Sequence, residues 1–165
     1  MAIEGQLENE NPLQQVNFKF VIEKSPKMAY MGISGNLPGI TIGEVDQITP
    51  FVTQPWPGDS FEFENLDITF IVDEDMKNWL EIWNWIISAV QVEDFDDVRD
   101  AEDIFSDITL TITNNRFNPN LQFFFRDCFP ISLGGLDFTT QDTDVEAVTS
   151  NVGFRYRNFK PTEVV

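Results

Sequence analysis

LDITFIVDEDMKNWLEIWNWIISAV, residues Leu66 to Val90, decides how the rest of the chain is read. Leu66, Ile68, Phe70 and Val72 alternate with Asp67, Thr69 and Ile71, the period-2 pattern of a strand with one apolar face. At Asp73 the period changes. Met76, Trp79, Leu80, Trp83, Ile86, Ile87 and Val90 recur at helical spacing and form one stripe, so the pattern predicts a helix whose core face carries these side chains. Asp73 is placed to accept hydrogen bonds from the free N–H groups of the first turn, and Glu74 and Asp75 suit its positive dipole end. A strand running directly into one long helix, with two Trp on the stripe, gives a helix able to cover one face of a sheet.

The segments to either side are mostly strands. Residues 1–14 are polar, with Pro12 near their end, and read as a flexible N-terminal arm before a single β domain over 15–165. Val16, Phe18, Phe20 and Ile22 alternate as a first strand, Ser25-Pro26 is a turn, and Met28 to Ile33 reads as a second short strand. In Thr53 to Asp59 (TQPWPGD) two prolines remove ladder donors, which excludes a central strand. Residues 43–62 are therefore expected to protrude as a long hairpin or loop, and loops of that length are commonly functional or ordered by a partner.

After the helix comes EDFDDVRDAEDIFSD (Glu93 to Asp107), eight carboxylates with one Arg, read as a solvated loop. Ile108, Leu110 and Ile112 then mark a strand paired through the turn Asn114 to Asn120 with Leu121 to Phe129. Pro130 is expected to stop that second strand. A short strand is expected at Leu136 to Thr139, and a long terminal one where Val148, Ser150, Val152, Phe154 and Tyr156 alternate. About seven strands and one helix predict a mainly antiparallel β-sandwich or barrel with a flanking helix.

Composition narrows the chemistry. Ten Lys and Arg face 28 Asp and Glu, a net charge of −18 and a pI near 4.1. Such a surface repels nucleic-acid phosphates and anionic membranes, although a repulsive wall suits a conduit through which DNA slides without sticking. There is no His, which excludes Ser-His and Cys-His nucleophiles. The single Cys128 can form no intramolecular disulfide and reads as a small core residue. No phosphate-binding glycine loop occurs. Asp94 and Asp96 have EF-hand spacing, but Val98 takes a ligand position and Arg99 replaces the glycine that the loop requires. Asp142 and Asp144 read as loop residues. A carboxylate pair could serve a glycosidase on composition alone, but no pair stands out. Neither a metal nor a cofactor is expected, nor a catalytic residue, and no apolar window is long enough to cross a membrane.

Three stretches together carry a resemblance: LPGITIGEV (Leu37 to Val45) leading into PWPGDSFEFENLDITFIVDEDMKNWLEIWNWI, NPNLQFFFRDCFPISLGGLDF (Asn118 to Phe138), and TDVEAVTSNVGFRY ending at Tyr156. In this order the chain resembles the tail-tube family of contractile-tailed bacteriophages, tube and tube-initiator proteins included, over roughly residues 16–157. It is more distantly similar to the type VI secretion tube protein. The resemblance implies a β-sandwich with a flanking helix, six copies of which form a ring by continuing their sheets, with rings stacking into a hollow tube. Continued sheets also remove exposed strand edges.

It further implies that Glu44 to Phe63 reaches the neighbouring ring, with Trp56, Pro57 and Asp59 as contact residues. The implied partners are further copies of the chain, tail sheath and baseplate proteins, and double-stranded DNA in the lumen. The implied location is the virion tail, after synthesis in the host bacterial cytoplasm. A length of 165 residues favours the repeated tube subunit. A single-ring tube initiator or tail terminator is the alternative, and a carbohydrate-binding or glycosidase β-sandwich from a tail fibre is the alternative of another class.

Overall fold

A computed structural model describes residues 12–90, 104–139 and 146–163. Most of the expected arm, residues 93–103 of the acidic run and both Asp142 and Asp144 lie outside the described residues. In chain order the elements are β1 (Phe18–Ile22), α1 (Met28–Met31), β2 (Gly32–Gly35), β3 (Ile40–Ile48), β4 (Thr53–Phe63), β5 (Leu66–Ile71), α2 (Lys77–Val90), β6 (Ser106–Thr113), β7 (Pro119–Leu133), β8 (Thr149–Arg155) and β9 (Asn158–Glu163). Strand pairing is antiparallel throughout. One seven-stranded sheet runs β1-β6-β7-β8-β5-β2 with β9 also on β7, and β3 and β4 form a separate pair. The expected architecture, mainly antiparallel β with a flanking helix, is the one the chain adopts.

The spine is β7, which is longer than the sequence suggests. Its first part lies between β6 and β9, and from Phe129 it continues along β8. Pro130 does not stop it. Beyond Cys128 the strand has lost β6 and β9, so a residue without an N–H can face the unpaired side. The handover bends at Asp127, a non-glycine residue with φ 52°. The bend is held by the Asp127 N–H donating to Asp107 Oδ1 at 3.1 Å and by Arg157 on the Asp127 carboxylate at 3.1 Å.

Three further expectations are corrected. Met28 to Ile33 is not one strand. Pro26, whose fixed φ suits a helix start, leads into a single helical turn before β2, and Ser25 Oγ donates to Glu81 Oε2 at 2.7 Å, tying that turn to α2. Leu136 to Thr139 forms no strand. The terminal strand stops at Arg155, and the chain folds back as β9, where Pro161 is tolerated because β9 has a partner only in β7.

The helix α2 starts at Lys77, and Asp73 does not cap it. Asn78 takes that place. Its amide donates to Ile71 O at 2.7 Å, and its Oδ1 accepts from the Asp73 N–H (3.2 Å) and the Trp79 N–H (2.8 Å). Asp73 Oδ1 is buried and has no hydrogen-bond partner among the described residues. Asn78, Ile82 and Trp85 form the buried line, and Trp79 and Ile86 pack on the core from one flank. Leu80 and Trp83 do not belong to the core, since each is 43% exposed; Met76 and Ile87 are half-buried. The reason is that α2 is apolar around most of its circumference, so periodicity admits two faces, and the buried hydrogen bonds of Asn78 select one. Trp85 is secured by its Nε1–H donating to Ile104 O (2.6 Å), and Trp79 by the same group donating to Gly134 O (3.2 Å).

Behind the helix, the core is aromatic. Phe125 stacks on Phe159 with centroids 5.2 Å apart and meets the edge of Tyr156 at 5.0 Å. Cys128 is fully buried beside them, as expected of a small hydrophobe. Burial pushes its thiol from 9.0 up to about 12, and burial likewise raises the Tyr156 hydroxyl from 10.0 to about 12. Both groups stay protonated in the fold while the unfolded chain releases their protons earlier. Stability is therefore expected to be fully present below pH 9 and to fall as the pH rises from 9 towards 12. Chemical denaturation across that range checks the slope, and Cys128→Ala should flatten it.

Candidate functional site: the projecting hairpin

A two-stranded ribbon, β3 with β4, leaves the body of the protein between β2 and β5. Eleven residues of β4 extend roughly 35 Å at strand rise. The ribbon forms because Ile40, Thr41, Ile42, Val45 and Ile48 favour extended backbone on one strand, and Thr53, Trp56, Phe61 and Phe63 on the other. Pro55 and Pro57 lie opposite Asp46 and Glu44. They are two residues apart, so their missing donors fall on one side. In a ribbon with an open outer edge this loses no ladder bond.

The register jumps between Ile42 and Glu44, where Gly43 and Gly58 cross closely: a Cβ on Gly58 would sit 2.7 Å from Gly43 O. Only glycine fits that approach. At the tip, the Thr49 N–H and hydroxyl both donate to Val52 O, and Thr49 Oγ1 accepts from the Val52 N–H at 3.2 Å.

The base of the ribbon is anchored in the core. Phe63 meets Phe61 (5.1 Å), Tyr156 (5.5 Å) and Phe159 (5.4 Å). The Tyr156 hydroxyl donates to Glu64 O at 2.9 Å, and the Gly39 N–H donates to Glu64 Oε2 at 3.1 Å. The projecting part is thus fixed to a rigid foot. Beyond that foot every residue of β3 is exposed, and so are those of β4 apart from Gly58 and Phe63. Val45 faces Trp56 across the pair, and Ile42 faces Phe61. Phe51 at the tip is 94% exposed, Ile48 85% and Trp56 57%. Residues 39–64 hold Glu44, Asp46, Asp59, Glu62 and Glu64 with no Lys or Arg.

Of the three contact residues expected from the sequence, Trp56 and Pro57 are neighbours within the paired part of β4. Asp59 lies in the stretch that the register jump leaves unpaired. The sequence reading did not single out the tip, Ile48, Phe51 and Val52. The available signal was an apolar Phe-Val pair between two prolines in a stretch that is otherwise loop-like. Nor did it identify the Phe63–Tyr156–Phe159 foot, which joins residues almost a hundred positions apart. No group of three or more His, Cys, Asp or Glu placed to hold a metal occurs among the described residues. A cleft of about 710 Å³ opens between β1 and β2, each of which is hydrogen-bonded on one side only.

No protein-family model matches the chain. The tail tube terminator protein of Enterobacteria phage T4 is 39% identical over 56 residues, which is 32% of this chain and 32% of that protein. The match thus spans about a third of the curated relative. The tube-terminating cap of the anti-feeding prophage, known from cryo-electron microscopy, superposes with a TM-score of 0.69 at 16% identity, covering 99% of this chain and 100% of that one. The sheath/tube terminator of an extracellular contractile injection system, in its extended state, gives a TM-score of 0.66 at 17% identity over 93% and 98%. The tail-tube fold expected from the sequence is the fold of this chain.

Proposed function

We propose that this chain is a non-enzymatic structural protein of a contractile tail that forms a ring closing the end of the tail tube. The observation that carries the reading is the hairpin. A rigidly footed ribbon with an apolar tip, left uncovered in the single chain, is a device for joining a neighbour. The likeness of nearly the whole fold to a tube-terminating cap, and the 56-residue likeness to a phage tube terminator, support reading that neighbour as the end of a tube.

In this reading six copies join edge to edge through the one-sided strands β1 and β2, and the ring sits on the last layer of the tube beside sheath. DNA passes through without specific binding. The location is the virion tail.

The second reading is the repeated tube subunit, which the same hairpin would serve. Negative-stain microscopy of the purified protein at rising concentration separates the two. Single six-fold rings that do not stack are expected; long hollow tubes formed by the chain alone would establish the repeated subunit instead.

A further inference from the structure

The hairpin exposes apolar side chains along its whole length, Ile42, Val45, Trp56 and Phe61 on the stem and Ile48, Phe51 and Val52 at the tip. At the tip, Phe51 and Ile48 are the most exposed large apolar side chains among the described residues, and Val52 beside them is exposed too. The stem carries four exposed carboxylates, Glu44, Asp46, Asp59 and Glu62, with no cation anywhere in residues 39–64. Phe51 sits within the turn that the Thr49–Val52 hydrogen bonds close, and those bonds are made in the single chain, without a partner. A preset aromatic knob on an acidic stalk is complementary to an apolar socket with a basic rim.

We propose that the hairpin is a plug for a protein partner unlike this chain, with Phe51 as the anchor and the stem carboxylates facing Lys or Arg around the socket. This rests on the tube-end reading and assigns the tip, rather than the expected set Trp56, Pro57 and Asp59, as the anchor. The stem points away from a second copy as occupant, because every copy brings 28 acidic residues against ten basic ones. An anionic lipid surface is disfavoured on the same ground.

The test uses the full chain and, as probe, tail tubes sheared from virions so that their broken ends are open. Binding is measured by co-sedimentation at low and high salt for the wild type, for Phe51→Ala, and for a stem variant combining E44Q, D46N, D59N and E62Q. All of these side chains are solvent-exposed, and near-ultraviolet circular dichroism confirms that each variant keeps its core packing.

Phe51→Ala should weaken binding by roughly tenfold or more. The wild type should lose affinity as salt screens the rim, and the stem variant should bind weakly with little remaining salt dependence. Wild-type binding that neither substitution nor salt changes overturns the assignment and leaves the tube-end reading standing. Wild-type protein that ignores tubes at every salt concentration removes both. Rings that stack on each other through the same hairpin, with equal loss on Phe51→Ala, identify a second copy as the occupant and overturn the heterologous partner.

Discussion

Trp85→Ala should lower the folding free energy by ~3–5 kcal/mol, the range for removing a large buried aromatic. The same change at Trp83, one turn-half away on the same helix, should cost about 1 kcal/mol or less. The contrast follows from packing. Trp85 is 6% exposed, lies 5.8 Å from Phe154 between ring centroids, and donates its indole N–H to Ile104 O. Lys24 Nζ sits 5.3 Å above its ring. Removing it opens a void under α2 and orphans a carbonyl. Trp83 loses only a half-exposed surface contact. Urea denaturation of both variants decides the matter, and equal losses would show that the helix is rotated from the face described.

Shortening the hairpin is expected to separate folding from assembly. Deleting residues 45–56 and closing Glu44 to Pro57 with Asn-Gly removes the tip and the outer stem. It leaves the Ile40–Phe63 and Ile42–Phe61 pairs and the foot on Tyr156. Because β3 and β4 pair with no other strand, the main sheet loses no ladder bond. Stability should therefore change by about 1 kcal/mol or less. Attachment to tubes should fall by roughly a hundredfold or more, because several clustered apolar anchors leave together. A shortened protein that still attaches would move the contact surface to the body of the domain. One that unfolds would show the ribbon to be part of the core.

The sequence exposed the frame of this fold more clearly than its handover points. β5 and the helix after it, the β6–β7 pair and the apolar face of β8 were legible because their alternation is strict and each has one buried face. Ser150, Val152 and Phe154 are all buried as that alternation demands. The extent of β7 was not legible: Pro130 signals a stop locally, and only the change of partner from β6 to β8 makes it acceptable. β9 was missed because Lys160 and Pro161 look like a tail, and the strand exists only by lying against β7. The buried face of α2 was misassigned for a related reason. With Trp79, Leu80, Ile82, Trp83, Trp85, Ile86 and Ile87 around one helix, spacing cannot choose between faces. A polar residue, Asn78, makes the choice by hydrogen bonds to the preceding strand.

The candidate site divides in the same way. Two prolines and a tryptophan in TQPWPGD were enough to indicate a protrusion, and the hairpin is where they pointed. Its foot and its tip were not legible. The first depends on Tyr156, far along the chain, and the second on the exposure of Phe51, which composition alone would place inside.

The central claim is that the chain forms a single layer at one end of the tube. Gold-labelled antibody against the native chain, imaged on intact and sheathless tails, tests it most directly. Label confined to one end of each tube, with one six-fold layer in the averaged density there, is the predicted result. Label spaced regularly along the whole tube would contradict it and make the chain the repeated subunit.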